Sequence, residues 1–246
     1  MQVFLTLPAY NEEQALPQLF ESFHREVASG PYTGRFVIVD DGSTDGTCRV
    51  AQEWSSVLPI DLVRHPANRG LGETIHDGLR RAVELAGAED VVVTMDADNT
   101  HSPALIPEML RRIEEGYDVV IASRYLPGSE VVGLSRFRHL MSYGVRLLFQ
   151  AAFPIPGVRD YTCGFRAYRT RVLREAFARY NERLVTEKGF ACMAEILLNL
   201  RSMGVRMCEV PMALRYDRKK GTSKMRVPRT IVVTLRLLAR RRFSRL

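Results

Sequence analysis

Val91-Val92-Val93-Thr94-Met95 is a short apolar run without alternation, and it ends in the acid pair of Asp96-Ala97-Asp98. A run of this length, rich in Val, predicts a strand buried on both faces inside a parallel sheet. Residues 3–7, 36–39, 60–63 and 119–122 have the same strand character. Between these runs, residues 13–28, 47–55, 72–85 and 104–115 carry helical periodicity or helix-forming composition. The punctuation agrees: Ser102-Pro103 offers an N-cap with Pro at the first helical position, and Gly87 and Gly116 follow helix ends. Strands alternating with helices predict an α/β domain, a mostly parallel, Rossmann-like sheet flanked by helices.

Beyond Tyr125 the pattern loosens. Leu126-Pro127-Gly128-Ser129 reads as a turn, and a helix over 135–153 is stopped by Pro154 and Pro156. A strand over 161–168, helices over 170–180 and 190–203, and a strand over 205–210 follow. No repeat or low-complexity linker interrupts the chain, so residues 1–227 are expected to form one compact domain, with 228–246 as an extension. That extension opens with Pro228. Arg229, Arg236 and Arg240 recur at helical spacing among Ile231, Val232, Leu235, Leu238 and Ala239. The pattern is that of a basic amphipathic helix, suited either to an anionic membrane surface or to packing on the domain with its Arg residues in water.

The formal charge of +7 is unevenly spread: from residue 215 onward there are twelve Lys and Arg against one acid, Asp217. A basic C-terminal end on a mildly acidic body points to anionic partners. Nucleic acid is not expected among them. The tail has only Tyr216 and Phe243 for base stacking, and the acidic loops would repel a polyanion. Cys48, Cys163, Cys192 and Cys208 are far apart and read as reduced thiols of a cytoplasmic protein. The chain begins directly with strand-like residues, and no apolar stretch approaches the ~20 residues that span a bilayer. A cytoplasmic protein, peripheral at the inner face of the membrane, is the expectation.

Three strand ends deliver polar clusters: Pro8-Ala9-Tyr10-Asn11-Glu12-Glu13, Asp40-Asp41-Gly42-Ser43-Thr44-Asp45-Gly46, and Asp96-Ala97-Asp98-Asn99. In a parallel sheet the carboxyl ends of strands share one edge, so these loops can line one cleft. An isolated D-x-D is more often a solvated loop; acids converging from three loops suit sugar and base hydroxyls, amides and a divalent metal. A second, cationic group comprises Arg124, then Arg138 and Ser142 one helical turn apart, then Arg218, Lys219, Lys220 and Lys224 around Gly221-Thr222-Ser223. Arg and Lys beside small residues suit phosphate.

As an ordered set, P-A-Y-N-E-E, V-D-D-G-S-T-D-G-T, M-D-A-D, S-R-Y, Cys163-Gly164-Phe165-Arg166 and R-K-K-G-T-S-K resemble a family 2 glycosyltransferase of the GT-A fold. The resemblance extends to the subgroup of dolichyl-phosphate mannosyltransferase-like enzymes, the polyprenyl-phosphate glycosyltransferases, and covers residues 2–227. It implies that Pro8, Tyr10 and Glu12 hold the nucleotide, and that Asp41, with Asp40, bonds its base or ribose. It implies that Asp96 and Asp98, flanking Ala97, bind Mg²⁺ or Mn²⁺ on the donor diphosphate. Arg124, Arg138, Ser142 and Arg218 would bind the acceptor phosphate or the donor's phosphates, with Lys224 nearby. Two positions depart from the subgroup: Thr100 stands where Gln often adds a metal-site ligand, and Cys163 where Ser is usual.

The implied reaction is inverting transfer of a hexose, mannose or glucose, from a nucleoside-diphosphate sugar (GDP-mannose or UDP-glucose type) to a polyprenyl phosphate. A phosphate monoester is largely ionised at neutral pH, so the nucleophile needs no general base. His101, the nearest His to the acid pair, then serves its loop, and Asp98, Arg124, Arg138 and Arg218 carry the chemistry. The alternative is a hydroxyl acceptor, a saccharide or small molecule, which needs a base such as Glu187. Trp54 reads as core, and Glu195, on an apolar helix, as a buried structural acid paired with an Arg.

Overall fold

The computed structural model describes residues 1–30, 32–219 and 227–243. Strands β1 (Gln2–Ala9), β2 (Thr33–Asp40), β3 (Ile60–Arg64) and β4 (Val91–Thr94) form a parallel block. β5 (Val119–Ser123) forms the second block. Between β4 and β5 lies a four-residue strand over Arg166–Arg169, antiparallel to both. A strand over Met207–Pro211 pairs in parallel with β5 at the far edge. Two further strands, β6 (Glu130–Val132) and β9 (Ala213–Arg215), make a separate parallel pair. With the antiparallel strand as β7 and the edge strand as β8, the central sheet runs β3-β2-β1-β4-β7-β5-β8.

Helices α1 (Leu16–Ser29), α2 (Thr47–Trp54), α3 (Leu71–Leu85) and α4 (Ile106–Glu114) connect the parallel strands. The valines of β4 and β5 are buried because helices cover both faces of the sheet. α1 packs Phe20 and Phe23 onto Phe36 of β2, with ring centroids 5.1 and 4.5 Å apart, and Trp54 joins Phe20 at 5.4 Å, in agreement with a core role. α1 starts later than its periodicity suggests, because the N–H groups of Ala15 and Leu16 turn back onto the Glu12 carbonyl.

The second half departs more from expectation. The strand expected over 161–168 is confined to 166–169, since the N–H groups of Thr162 and Cys163 are drawn onto the Asp160 carboxylate. Arg166 on β7 is fully buried, its guanidinium donating to the carbonyls of Met193 and Tyr161. α5 (Arg136–Ala152), α6 (Thr170–Tyr180) and α7 (Ala191–Arg201) lie where the periodicity puts them. α8 (Val227–Phe243) presents Thr234, Leu237 and Leu238 to the domain, packing on α5 and α7. Val232, Leu235 and Arg236 remain exposed. Among the described residues no helix is long and apolar enough to cross a membrane.

Candidate active site

Parallel register sets the rim. Ala9 pairs with Asp40 and Thr6 with Thr94, so the loops after β1, β2 and β4 leave the sheet side by side. Hydrogen bonds then lace them together. The Asp41 N–H donates to the Ala9 carbonyl (2.8 Å), Asn11 N–H to Ser43 Oγ (2.9 Å), Thr44 N–H to Asn11 Oδ1 (2.8 Å) and Glu12 N–H to Thr47 Oγ1 (2.8 Å). Asn99 Nδ2 ties the acid-pair loop to the Ala15 carbonyl at 2.6 Å. Asn11 (φ 53°) and Asn99 (φ 63°) take the left-handed conformation that Asn tolerates better than most side chains. The three acidic loops therefore meet, as the sheet arithmetic predicts. Pro8 is the penultimate residue of β1, with Tyr10 and Glu12 half-buried just beyond.

Asp40 accepts the Ser43 N–H at 3.0 Å, closing its own turn. Asp41 accepts three bonds: from His65 Nδ1 (2.7 Å) and the Arg69 N–H (2.8 Å) on Oδ1, and from the Gly70 N–H (2.9 Å) on Oδ2. Asp98 is buried, with Oδ1 bonded by the Thr100 N–H (3.1 Å) and hydroxyl (2.6 Å) and Oδ2 2.5 Å from Lys219 Nζ. Burial alone would raise its pKa, but the Lys219 charge and these bonds hold it below the usual carboxylate range. Thr100 thus braces Asp98. Asp96 behaves oppositely: burial, with the nearby Asp98, outweighs His101 and Lys219 and pushes its pKa up. Gly164 lets it sit close, since a Cβ there would lie 3.2 Å from Asp96 Oδ1.

The pair suits a hard cation. Asp96 is an under-compensated carboxylate, and the buried His101 Nδ1, 4.0 Å from Asp96 Oδ2, has no hydrogen-bond partner among the described residues. Lys219 already occupies Asp98 as a positive charge. Among the described residues no cluster of three or more His, Cys, Asp or Glu could hold a metal ion, and Asp96 and Asp98 are the residues that could contribute to one.

Across the cleft, Arg124 donates from Nε and Nη2 to Asp160, 2.7 Å each, and from Nη2 to Thr162 Oγ1. Asp160 is fully buried; burial would raise it, yet Arg124 holds it below the carboxylate range and is itself raised. Arg138 and Ser142 line the same cleft from α5, and Ser142 Oγ is 2.5 Å from the Tyr125 hydroxyl. Arg146, one turn on, stacks over Tyr125 and Tyr143. Cys163 also lines the wall, its thiol pushed up to about 12 by burial. The rest is largely apolar, including Ile75, Met141, Val145, Phe190, Met193 and Leu214.

Arg218 is not among the residues that line the cleft. It is exposed on the 3₁₀ turn Tyr216–Arg218, and in such a turn residues i and i+3 share a side. Tyr216 and Lys219 are therefore the pair that faces inward. Lys224 lies outside the described residues. Glu187 does not line the cleft; it pairs with Arg240 of α8 at 3.0 Å, and burial and Glu195 push its pKa up. Glu195 is buried, accepts bonds from Thr186 and the Glu187 N–H, and meets Arg240 and Arg241, as the structural reading expects. Sequence reasoning missed Asp160 and His65 as partners of the site, and grouped Lys219 with the phosphate-binding cations where the structure sets it on Asp98. His65 follows a strand end, the same signal that found the other loops; Asp160 carries no such signal.

The pattern of glycosyl transferase family 2 matches residues 5–177. Over 92% of its length the chain is 32% identical to the dolichol-phosphate mannosyltransferase of Pyrococcus furiosus, and it spans only 60% of that longer protein. It is 29% identical to the polyprenol monophosphomannose synthase of Mycolicibacterium smegmatis, covering 91% of this chain and 81% of the relative. To the undecaprenyl-phosphate mannosyltransferase of Micrococcus luteus it is 30% identical, covering 92% and 88%. Among solved structures, mannosyl-3-phosphoglycerate synthase from Rubrobacter xylanophilus superposes with a TM-score of 0.71 at 20% identity, over all of this chain and 76% of that one. Glucosyl-3-phosphoglycerate synthase from Mycobacterium tuberculosis, in complex with Mn²⁺ and UDP, gives 0.68 at 19% identity, over 96% and 79%. These structural likenesses speak for the GT-A fold. With the family pattern spanning most of the chain and the acid loops assembled on one rim, the chain belongs to glycosyl transferase family 2 and is a glycosyltransferase.

Proposed function

We propose that this protein transfers a hexose, with inversion, from a nucleoside-diphosphate sugar to a polyprenyl phosphate at the inner face of the cytoplasmic membrane. The observation that carries this reading is a cleft that Asp96 lines together with Arg124 and Arg138, the arginines set among apolar side chains. The names of the three relatives favour mannose as the sugar and a polyprenyl phosphate as the acceptor. The donor stays within the GDP-mannose or UDP-glucose type.

Asp96 and Asp98 would hold Mg²⁺ or Mn²⁺, which neutralises charge on the departing diphosphate. Pro8, Tyr10, Glu12, Asp40 and Asp41 would bind the nucleoside. Arg124, fixed by Asp160, and Arg138 with Ser142 would bring the acceptor phosphate against the donor despite like charges. Arg218 would add its charge from the 3₁₀ turn at the C-terminal side. The attacking phosphate oxygen is already ionised, so no side chain must take its proton.

The outer face of α5 supports a lipid acceptor. Phe137, Leu140, Tyr143, Leu147 and Leu148 are exposed at helical spacing, beside exposed Val232 and Leu235 of α8. With Arg236 and Arg240 near them, this stripe suits an anionic bilayer surface. Glu187, the base that a hydroxyl acceptor would call on, is engaged by Arg240 at 3.0 Å, which favours the phosphate acceptor.

The test is nucleotide release from GDP-mannose and UDP-glucose, with Mn²⁺ or Mg²⁺, in the presence of a short-chain polyprenyl phosphate. Release dependent on the lipid phosphate and abolished by chelation is expected. Release that needs a sugar or polyol hydroxyl instead would overturn the acceptor.

A further inference from the structure

His65 stands outside the cleft walls and has no part in the chemistry above, yet its ring is almost fully buried between two carboxylates. Nδ1 lies 2.7 Å from Asp41 Oδ1, and Nε2 lies 3.0 Å from Asp77 Oδ2. Its backbone N–H is fixed as well, on the Asp40 carbonyl at 2.9 Å. One ring nitrogen thus faces each carboxylate, which fixes the plane of the imidazole. Asp77 is anchored in turn by His76 Nδ1 (3.0 Å) and Arg69 Nη1 (3.1 Å). Burial opposes its charge, but the two histidines and Arg69 hold it below the usual carboxylate range. Acids and imidazoles thus alternate from the donor rim outward to Glu182, 3.4 Å from His76 Nε2.

Resting on the reading that Asp41 contacts the nucleoside, we infer that His65 and Asp77 are positioning residues that keep the Asp41 carboxylate aimed at the nucleobase. They thereby select a nucleobase presenting a ring N–H, the class of uracil and guanine. Asp41 Oδ1 is committed to His65 and Arg69, while Oδ2 accepts, among the described residues, only from Gly70. A carboxylate oxygen offers two lone pairs, so Oδ2 retains acceptor capacity toward a ligand. An ionised carboxylate accepts and cannot donate. Uracil N3–H and guanine N1–H suit it; the bare ring nitrogen of cytosine or adenine at that edge would set lone pair against lone pair. Such a mismatch discriminates more strongly than a lost apolar contact.

The experiment is calorimetric titration of UDP, GDP, CDP and ADP, with Mn²⁺, into the full chain and into His65→Ala, His65→Asn and Asp77→Asn, with thermal melting run on each. The wild type should bind UDP or GDP at least about tenfold tighter than CDP and ADP, and His65→Ala should lose most of that preference. His65→Asn keeps a donor near the position of Nδ1, so it should recover much of it; Asp77→Asn should fall between. A His65→Ala protein that melts normally and keeps the preference overturns the inference. Equal impairment in folded His65→Ala and His65→Asn does so too. Wild-type binding without base preference overturns it alone, whereas wild-type failure to bind any of the four removes the donor-site reading and this inference together.

Discussion

Around the acid-bearing rim the carboxylates accept from backbone N–H groups of their own and neighbouring loops, whereas the guanidinium on the opposite wall is held by the side chains of Asp160 and Thr162. Asp40, Asp41 and Asp98 each draw on N–H groups of their own or an adjoining loop. Arg124 depends on Asp160, 36 residues away, and beyond it stretches the exposed apolar face of α5. The first region is arranged before any ligand arrives, which suits charge stabilisation by groups that need not reorganise. The second is an apolar surface with a few fixed cations, which suits a flexible lipid bearing one charged end.

That contrast breaks most directly at Asp98. Asp98→Ala removes the rim's principal anionic group and should cut turnover about a thousandfold, measured as nucleotide release; near-normal activity would end the metal assignment. On the other wall, Asp160→Ala strands a buried guanidinium and should cost about 3–5 kcal/mol of stability, read by denaturant unfolding. Asp160 is depressed in the folded state, so its contribution should be complete above the ordinary carboxylate pKa of about 4 and lost as pH falls through its folded value. An Asp160→Ala stability that tracks the wild type down the acid range would refute this. Phe137→Ser combined with Leu140→Ser should weaken binding to anionic vesicles about tenfold or more with little change in melting, and unchanged sedimentation with vesicles would refute the apolar wall's role. The smallest effect concerns Lys219. Lys219→Met frees Asp98 Oδ2 and should tighten Mn²⁺ binding to the ligand-free protein about fivefold, observed by the loss of free-ion resonance signal; weaker binding would show that Lys219 helps to build the site.

The same division governs what could be read from the residues alone. β1 to β5 and the helices between them were legible because their patterning is local, and the acids at the strand ends followed from parallel geometry. β7 was only half legible: Arg166 and Arg169 break its apolar character, and its burial depends on carbonyls of Tyr161 and Met193. Nothing in Glu130–Val132 or Ala213–Arg215 announces a strand, since three residues carry no period. Arg218 drew attention as an arginine in a basic cluster, but the three-residue period of a 3₁₀ turn puts Lys219 on the same side as Tyr216, facing inward. Glu195 was read correctly for the opposite reason: an acid on an apolar helix must find a cation somewhere.

Where that cation came from matters beyond folding. Arg240 and Arg241 sit near the end of α8, and Thr234 on the same helix contributes to the cleft lining. Trimming the polypeptide before residue 228 would leave Glu195 with no counter-ion from this helix and unroof one flank of the cleft. The last helix is therefore a structural member of the enzyme, and labels or fusions meant to be silent are better attached elsewhere.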